Sequence, residues 1–327
     1  MSATILVLVE QLRGTAADIT FEMLGAARQL SAALQRPVEA VVLGGPGAAL
    51  AGQLGAADRV LVVDNPALDQ PSADAAVGVL QQILAQRAPA LVLLGGTNVS
   101  FGLGTRLAAR TGLPFVNFCK GARADGGAVV LTSQLFGGKI LTDVKLPDGR
   151  GIVSVYPGAF PADSGRSAKA PPVENLAVPA PAAQAVFKEF VEPETGDVDI
   201  TKQTVLVAVG RGIQSADNVQ LAEELAKTLG GAVCASRPVI DQGWLPLTRQ
   251  VGKSGMRVKP KLYLAFGISG APEHLEGMKQ SEMIVAVNTD PNAPIFSAAH
   301  YGVVADALDV LPALTEEIRK SGSTKAA

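Results

Sequence analysis

Histidine and cysteine are scarce in this sequence, and their scarcity excludes several kinds of site. The 327 residues contain two cysteines and two histidines. Two cysteines cannot build a disulfide framework, and their spacing contains no zinc-binding pattern. Cys119 and Cys234 lie in apolar stretches, so we interpret them as small buried hydrophobic residues. The sequence predicts no metal site, and it shows no Ser-His-Asp or Cys-His set that would predict a catalytic nucleophile.

A strong charge of one sign and long apolar runs are also missing. The net charge is −2, acidic and basic residues are interspersed, and no basic patch is interleaved with aromatic residues, which argues against nucleic-acid binding. No apolar run approaches the ~20 residues needed to span a bilayer. The first residues, MSATILVLVE, lack the features of a signal or transit peptide. The sequence therefore predicts a cytoplasmic protein without direct membrane insertion.

What the sequence does contain is an alternation of apolar runs with amphipathic stretches. Its length favours two domains, and a hydrophobic share of 48% suits a full core. Strands that alternate with helices predict right-handed crossovers and a mostly parallel sheet. In the first half, the predicted strands are 4–9, 38–43, 59–63 and 90–94, and the predicted helices are 18–34 (capped by Asp18 or Thr20), 47–57, 72–86 and 101–111.

The pattern then changes to short strands without helices. Turn residues separate the runs 115–118, 128–132, 139–144 and 151–155, which predicts antiparallel strands appended to the parallel sheet. The stretch 157–193 is rich in proline and alanine, and we interpret it as a covering segment followed by a linker. The predicted domains are therefore an N-terminal domain over 1–192, a C-terminal domain over 199–321 and a flexible tail over 322–327.

The C-terminal domain has the pattern of a doubly wound sheet. Short runs rich in valine, isoleucine or leucine are typical of strands buried on both faces of such a sheet. The predicted strands are 204–209, 232–234, 262–266, 283–287 and 301–304, and the predicted helices are 216–229, 273–279 and 307–320. The predicted fold class is thus α/β, with a mostly parallel N-terminal sheet domain and a doubly wound C-terminal domain.

Polar residues follow every predicted strand of the C-terminal domain. Taken alone, each strand-end residue is most simply a solvated or helix-capping group, and His274 is most simply a cap or surface residue. Because the carboxyl ends of parallel strands share one edge, however, the set as a whole favours a large phosphate-bearing ligand whose pyrophosphate meets free backbone N–H groups. The strand-end groups are Arg211 between two glycines, Ser236 with Arg237, Ser269 and Gly270 with His274, Asn288, and Asp306, joined by the loop 250–255.

These stretches closely resemble the α subunit of electron-transfer flavoproteins. The matching segments are VGRGIQSADN (209–218), CASRPVIDQGWLP (234–246), QVGKSG (250–255), LYLAFGISGAPEHLEGMKQSEMIVAVNTDPNAPIF (262–296) and YGVVAD (301–306), whereas the first domain matches only in pattern. The resemblance implies an FAD held mainly by the C-terminal domain, in a bacterial or archaeal protein. It also implies a heterodimer with a β subunit that holds AMP or a second FAD.

In that family, electrons pass from flavoprotein dehydrogenases to a quinone oxidoreductase or another acceptor, and the carrier has no substrate turnover of its own. The arginine matching Arg237 lies over the flavin ring, the hydroxyl matching Ser254 faces flavin N5, and the histidine matching His274 donates toward the pyrimidine carbonyl. A cation and a donor so placed stabilise a flavin that has taken up an electron. The FAD contacts implied by the resemblance are Arg211, Ser236, Arg237, Gln250, Val251, Gly252, Lys253, Ser254, Ser269, Gly270, Ala271, Pro272, Glu273, His274, Asn288, Asp306 and Ala307.

The sequence departs from the family pattern near the expected cofactor. Lys253 and Ser254 stand where glutamine and threonine are usual, and Glu273 stands where glutamine is usual. Serine keeps the hydroxyl, while Lys253 and Glu273 add opposite charges. Two alternatives stay open: a nucleotide-binding module without a redox role, and an NAD-dependent oxidoreductase. The second should carry Gly-x-Gly-x-x-Gly after a strand, and GGTNVSFGLG (95–104) does not have that spacing.

Overall fold

The structure is a computed structural model that describes residues 3–45, 47–70, 73–179, 187–189 and 197–324. The chain divides into two compact units, Met1–Glu189 and Phe190–Ala327. Most of the predicted domain boundary lies outside the described residues, as do residue 72 of a predicted helix and residues 325–327 of the predicted tail. Residues 322–324 of that tail continue the last helix.

The first unit is built around a mostly parallel sheet. Within the described residues this sheet has nine strands in the order β11-β5-β4-β1-β6-β10-β7-β8-β9, and β2 pairs with β3 in a separate hairpin. The strands are β1 Ile5–Leu8, β2 Gln11–Leu12, β3 Thr15–Ala16, β4 Val38–Leu43, β5 Arg59–Val63, β6 Leu91–Gly95, β7 Phe115–Asp125, β8 Ala128–Leu135, β9 Ile140–Leu146, β10 Gly151–Val155 and β11 Val173–Asn175. The helices are α1 Asp18–Leu34, α2 Gly47–Ala51, α3 Ala73–Arg87 and α4 Leu103–Thr111.

The first strand shows why these apolar runs become central strands. It runs parallel to β4 and to β6, so both of its edges are hydrogen-bonded. Successive side chains of a strand point to opposite faces. Ile5 and Val7 therefore pack in the core under α1, and Leu6 and Leu8 pack in the core under α3. The parallel arrangement predicted for this region is confirmed.

The prediction of four appended antiparallel strands is wrong for β10. This strand lies in the interior of the sheet, parallel to β6 on one side and to β7 on the other. Among the described strands of this sheet, antiparallel pairing is confined to β7 with β8 and β8 with β9. All five residues of β10 are buried, whereas β9 is mostly exposed. The composition agrees: β10 has one polar residue, Ser154, whereas β9 includes Thr142, Asp143 and Lys145.

Three smaller predictions in this unit also need correction. Helix α2 ends at Ala51 and not at residue 57, because the chain turns at Gly52. It then passes so close to the backbone of residues 167–169 that a Cβ on Gly55 would lie 2.2 Å from the Lys169 carbonyl oxygen. Neither predicted residue caps α1: Asp18 pairs with Arg166, and the Thr20 hydroxyl exchanges hydrogen bonds with the backbone of Glu10. The short strand β11 inside the proline-rich segment was not predicted.

The second unit is a doubly wound parallel sheet, as predicted. Within the described residues its strand order is β13-β12-β14-β15-β16. The strands are β12 Val205–Val209, β13 Ala232–Ala235, β14 Leu262–Phe266, β15 Met283–Asn288 and β16 Tyr301–Val304, and the helices are α5 Val219–Leu229, α6 Arg237–Asp241, α7 Pro272–Met278 and α8 Ala307–Thr324. Leu206 and Ala208 face one core while Val207 and Val209 face the other. Helix α6 was not predicted. None of the described helices is long and apolar enough to cross a membrane.

Candidate functional site

The strand order places a crevice at the carboxyl ends of β12 and β14. In chain order the second sheet reads 2-1-3-4-5, so the connections leave β12 and β14 in opposite directions. In open α/β sheets, ligands bind at this switch point, outside the carboxyl ends of the strands. The residues that follow the two strands are Gly210–Ile213 and Gly267–Ala271.

Glycines let these two loops pack backbone against backbone. Gly210 N–H donates to the Phe266 carbonyl at 2.9 Å, and Gly212 N–H donates to the Gly267 carbonyl at 3.1 Å. A Cβ on Gly210 would lie 2.2 Å from the Gly267 oxygen, and one on Gly212 would lie 2.6 Å from the Gly267 Cα. Side chains at these positions would force the loops apart, so the glycines fix the floor of the crevice.

The loop Gln250–Gly255 forms another wall and is anchored to α7. Lys253 N–H donates to the Glu273 carbonyl at 2.8 Å, and a Cβ on Gly277 would lie 2.5 Å from the Gly252 nitrogen. Inside the loop, Gln250 Nε2 donates to Ser254 Oγ at 3.0 Å. This backbone contact brings Lys253 and Glu273, the two charged departures from the family pattern, to the same wall.

Together these elements enclose a cavity of about 630 Å³, within the size range of cofactor pockets. Thirteen of the seventeen predicted contacts line it; Gly270, Pro272, Asp306 and Ala307 do not. Sequence reasoning did not include five lining residues among the contacts: Gly212, Pro238, Asp241, Gly267 and Ile268. The thirteen predicted residues that line the cavity are Arg211, Ser236, Arg237, Gln250, Val251, Gly252, Lys253, Ser254, Ser269, Ala271, Glu273, His274 and Asn288.

Two of the residues outside the lining have structural partners instead. Gly270 has a φ of +86°, and a Cβ there would lie 2.2 Å from the Ile295 nitrogen, so this glycine packs against a neighbouring turn. Asp306 Oδ1 accepts from Leu308 N–H at 2.9 Å and so caps α8. Asn288 does line the cavity, but its Nδ2 donates to the Ile268 carbonyl at 2.9 Å and its Oδ1 accepts from Asp290 N–H, so it also holds the loop after β14.

The charge at the cavity is predominantly positive. Arg211, Arg237 and Lys253 line it, together with the carboxylates of Asp241 and Glu273. Arg237 begins α6 and its Nε lies 3.4 Å from Asp241 Oδ2, one helical turn further on. The i, i+4 spacing of these two residues would have predicted their pairing, had the short helix α6 been recognised. Guanidinium and ammonium groups in a cavity with glycine-rich walls suit the phosphates of a nucleotide cofactor.

His274 is the group whose position most clearly calls for a ligand. Taken alone it was interpreted as a cap or surface residue, and that is wrong: it is 5% exposed and its Nε2 lies 3.0 Å from the Tyr263 hydroxyl. Burial lowers the pKa of His274 to about 4, although a backbone interaction at Val251 partly opposes the shift. The Val251 backbone is near the ring, but no hydrogen bond of normal length and angle reaches the buried Nδ1 within the described residues. An unsatisfied buried polar atom is costly. Because the His274 ring lines the cavity, a ligand with a polar atom that reached Nδ1 would remove that cost.

Other kinds of centre find no support in the described part of the chain. Among those residues, no group of three or more His, Cys, Asp or Glu side chains could hold a metal ion. Burial raises the pKa of Cys119 to about 11 and that of Cys234 to about 12, so neither thiol is an activated nucleophile. The residues present fit a flavin nucleotide: cations for its phosphates, and the His274 imidazole for the polar edge of its ring.

Comparisons with known proteins agree with this geometry. Residues 5–181 match the electron transfer flavoprotein domain, and residues 199–279 match the electron transfer flavoprotein FAD-binding domain. Among solved structures, a thiamine diphosphate-dependent 4-hydroxybenzoylformate decarboxylase from Rhodococcus jostii RHA1 matches with 12% identity over 91% of this chain and 54% of that chain. The TM-score of this match, 0.25, is too low to indicate a shared fold.

Curated relatives extend the match over almost the whole chain. The electron transfer flavoprotein subunit alpha of Mycobacterium leprae is 39% identical, covering 97% of this chain and 98% of the relative. The subunit alpha of Megasphaera elsdenii is 37% identical over 97% and 96%. Protein FixB of Clostridium saccharobutylicum is 35% identical over 96% of each chain. The chain therefore belongs to the electron transfer flavoprotein α-subunit family, and its second unit carries the FAD-binding domain of that family.

Proposed function

We propose that this chain is the FAD-bearing subunit of a heterodimeric electron carrier in the cytoplasm. It receives electrons from flavoprotein dehydrogenases and passes them to a quinone oxidoreductase or another acceptor, with no substrate turnover of its own. The observation that carries the proposal is the cavity at the β12–β14 switch point, which is lined by three cationic side chains and by the buried His274.

FAD, when bound, supplies a ring that takes up and returns electrons. The residues of this chain would bind and orient it. Arg237, Ser254 and His274 would hold the ring, and Arg211 with the loop Ser269–Ala271 would hold the phosphates. Helix α7 has only seven residues, so its dipole is weak and the cationic side chains are the main source of positive charge. Positive groups and donors next to the ring favour its negatively charged forms.

The partner is a β subunit, since the matched relatives are named as α subunits. It would hold AMP or a second FAD. The first unit offers a surface for it at the turn between β8 and β9, where Leu135, Phe136, Ile140 and Leu141 are all exposed, Phe136 by 74%. Leu135 and Ile140 face each other across the two strands. An exposed apolar patch of this kind is typical of a protein–protein interface.

Purification with and without the partner tests the proposal. The chain co-expressed with its β subunit should elute as a heterodimer with flavin absorbance and about one FAD per α subunit. A colourless, folded chain that neither binds added FAD nor associates with the β subunit would contradict it. If instead the chain binds AMP or ADP without flavin, the non-redox nucleotide-binding alternative is correct.

A further inference from the structure

A buried polar chain runs from the sheet to the cavity of the second unit. It consists of Cys234 on β13, Tyr263 on β14 and His274 on α7. Cys234 and Tyr263 are fully buried, and the Tyr263 hydroxyl lies 3.0 Å from His274 Nε2 and 4.0 Å from Cys234 Sγ. A fully buried hydroxyl in contact with a cavity-lining histidine is a feature that packing alone does not require.

The protons in this hydrogen-bond chain of Cys234, Tyr263 and His274 can be counted. Burial raises the pKa of Cys234 to about 12 and raises the pKa of Tyr263 well above its ordinary value, so both keep their protons at neutral pH. Burial also keeps His274 neutral, so its ring carries one N–H, and the backbone interaction at Val251 opposes this only in part. Cys234 S–H donates to the Tyr263 oxygen. The single O–H of Tyr263 is then available for one acceptor.

The hydrogen bond between Tyr263 and His274 can be donated from either side, and the two directions are not equivalent. If Tyr263 O–H donates to Nε2, it uses a short bond to a good acceptor, and the ring proton lies on Nδ1. If Nε2–H donates to Tyr263 instead, the hydroxyl proton has only the sulfur 4.0 Å away, and sulfur is a weak acceptor. The hydrogen-bond geometry therefore favours the first direction, in which Cys234, Tyr263 and His274 donate one after another toward the cavity.

We propose that Tyr263 is a positioning residue that fixes the tautomer of His274, so that Nδ1–H is a donor to the ligand in the cavity. The identity of that ligand rests on the proposed function, but the tautomer does not. A donor at this position suits a carbonyl oxygen on the edge of a flavin ring and rejects a ligand that presents a donor there. Which ring nitrogen carries the proton is set by the hydrogen bond that the other nitrogen makes.

The second histidine of the chain provides an internal reference. His300 Nδ1 accepts from Ile284 N–H at 3.0 Å, which places its ring proton on Nε2. With only two histidines in the sequence, a ¹⁵N-histidine-labelled full-length chain should show one ring of each tautomer. The His300→Gln variant assigns the two sets of ring signals.

The test is nitrogen-detected NMR of the labelled chain at neutral pH, before and after addition of FAD. We expect His274 to be the Nδ1–H tautomer in the wild type and a mixture of both tautomers in Tyr263→Phe, while His300 stays Nε2–H in both. Tyr156→Phe, which also removes a buried hydroxyl, should leave both rings unchanged. Added FAD should shift the Nδ1 proton of His274 in the wild type.

Two results would overturn the proposal. The first is a wild-type His274 that carries its proton on Nε2, a result that does not depend on whether any variant folds. The second is a folded Tyr263→Phe variant whose His274 keeps a single Nδ1–H tautomer. An Nδ1–H tautomer that does not respond to FAD would leave the role of Tyr263 intact and count against the proposed flavin contact of His274, so the two failures are distinguishable.

Discussion

Replacing Arg237 by alanine should make the bound flavin harder to reduce. Arg237 lines the cavity at the start of α6, and its side chain is 68% exposed. The fold should survive the substitution, because the guanidinium is exposed and, among the described residues, pairs only with Asp241 on its own helix. What the variant loses is a positive charge beside the site where negative charge develops.

The magnitude follows from the exposure of the side chain. Two unit charges about 4 Å apart interact by about 1 kcal/mol in water and about 4 kcal/mol near a protein surface. Since Arg237 is two-thirds exposed, we expect a loss in the lower part of this range, about 1–2 kcal/mol. For a one-electron step, 59 mV corresponds to a tenfold change, so the first reduction potential should fall by about 40–90 mV.

The assay is a spectroelectrochemical titration of the heterodimer, with thermal unfolding of both proteins to show that the fold is unchanged. Asp241→Asn is the matched control: it removes the neighbouring negative charge and should shift the potential slightly upward. Because the contact is exposed, the difference between wild type and Arg237→Ala should shrink as salt is added. An unchanged first potential in Arg237→Ala, with flavin still bound, would refute the placement of this guanidinium beside the ring.

Three further outcomes are expected. Lys253→Gln should lower the flavin potential by less than Arg237→Ala does, with a shift that shrinks in high salt; a salt-independent or absent shift in the same titration would show that Lys253 does not act on the ring. Phe136→Ser should weaken association with the β subunit by sedimentation analysis without lowering the midpoint of thermal unfolding, and unchanged association would remove this turn from the interface. Asp197 is held by Arg249 and Thr248, which lowers its pKa to about 2; because the folded pKa lies below the unfolded value, Asp197→Asn should destabilise the protein at neutral pH. That difference should fade as pH drops from about 4 to about 2 in denaturant titrations, and a difference that persists below pH 2 would contradict the ion pair as its cause.

The sequence determined the local pattern of both units. Short apolar runs separated by amphipathic stretches predicted the parallel sheets, because strands buried on both faces must be apolar throughout and their crossovers need a helix. The strand ends in turn predicted the edge on which the polar residues gather. Arg211, Arg237 and the loop Gln250–Gly255 are at that edge because the carboxyl ends of parallel strands all point the same way.

Only the tertiary structure decided which neighbours each segment finds. β10 lies in the interior of the sheet because it pairs with β6 on one side and with β7 on the other, and no local period in the sequence encodes these pairings. Asp306 caps a helix and Gly270 packs against Ile295. Neither residue lines the cavity, although both follow strands at its edge. The hydrogen-bond partner of His274 is Tyr263, which lies eleven residues earlier and on another element. Burial and hydrogen bonding between separate elements set its proton, and these are properties of the packed chain that the order of residues alone does not reveal.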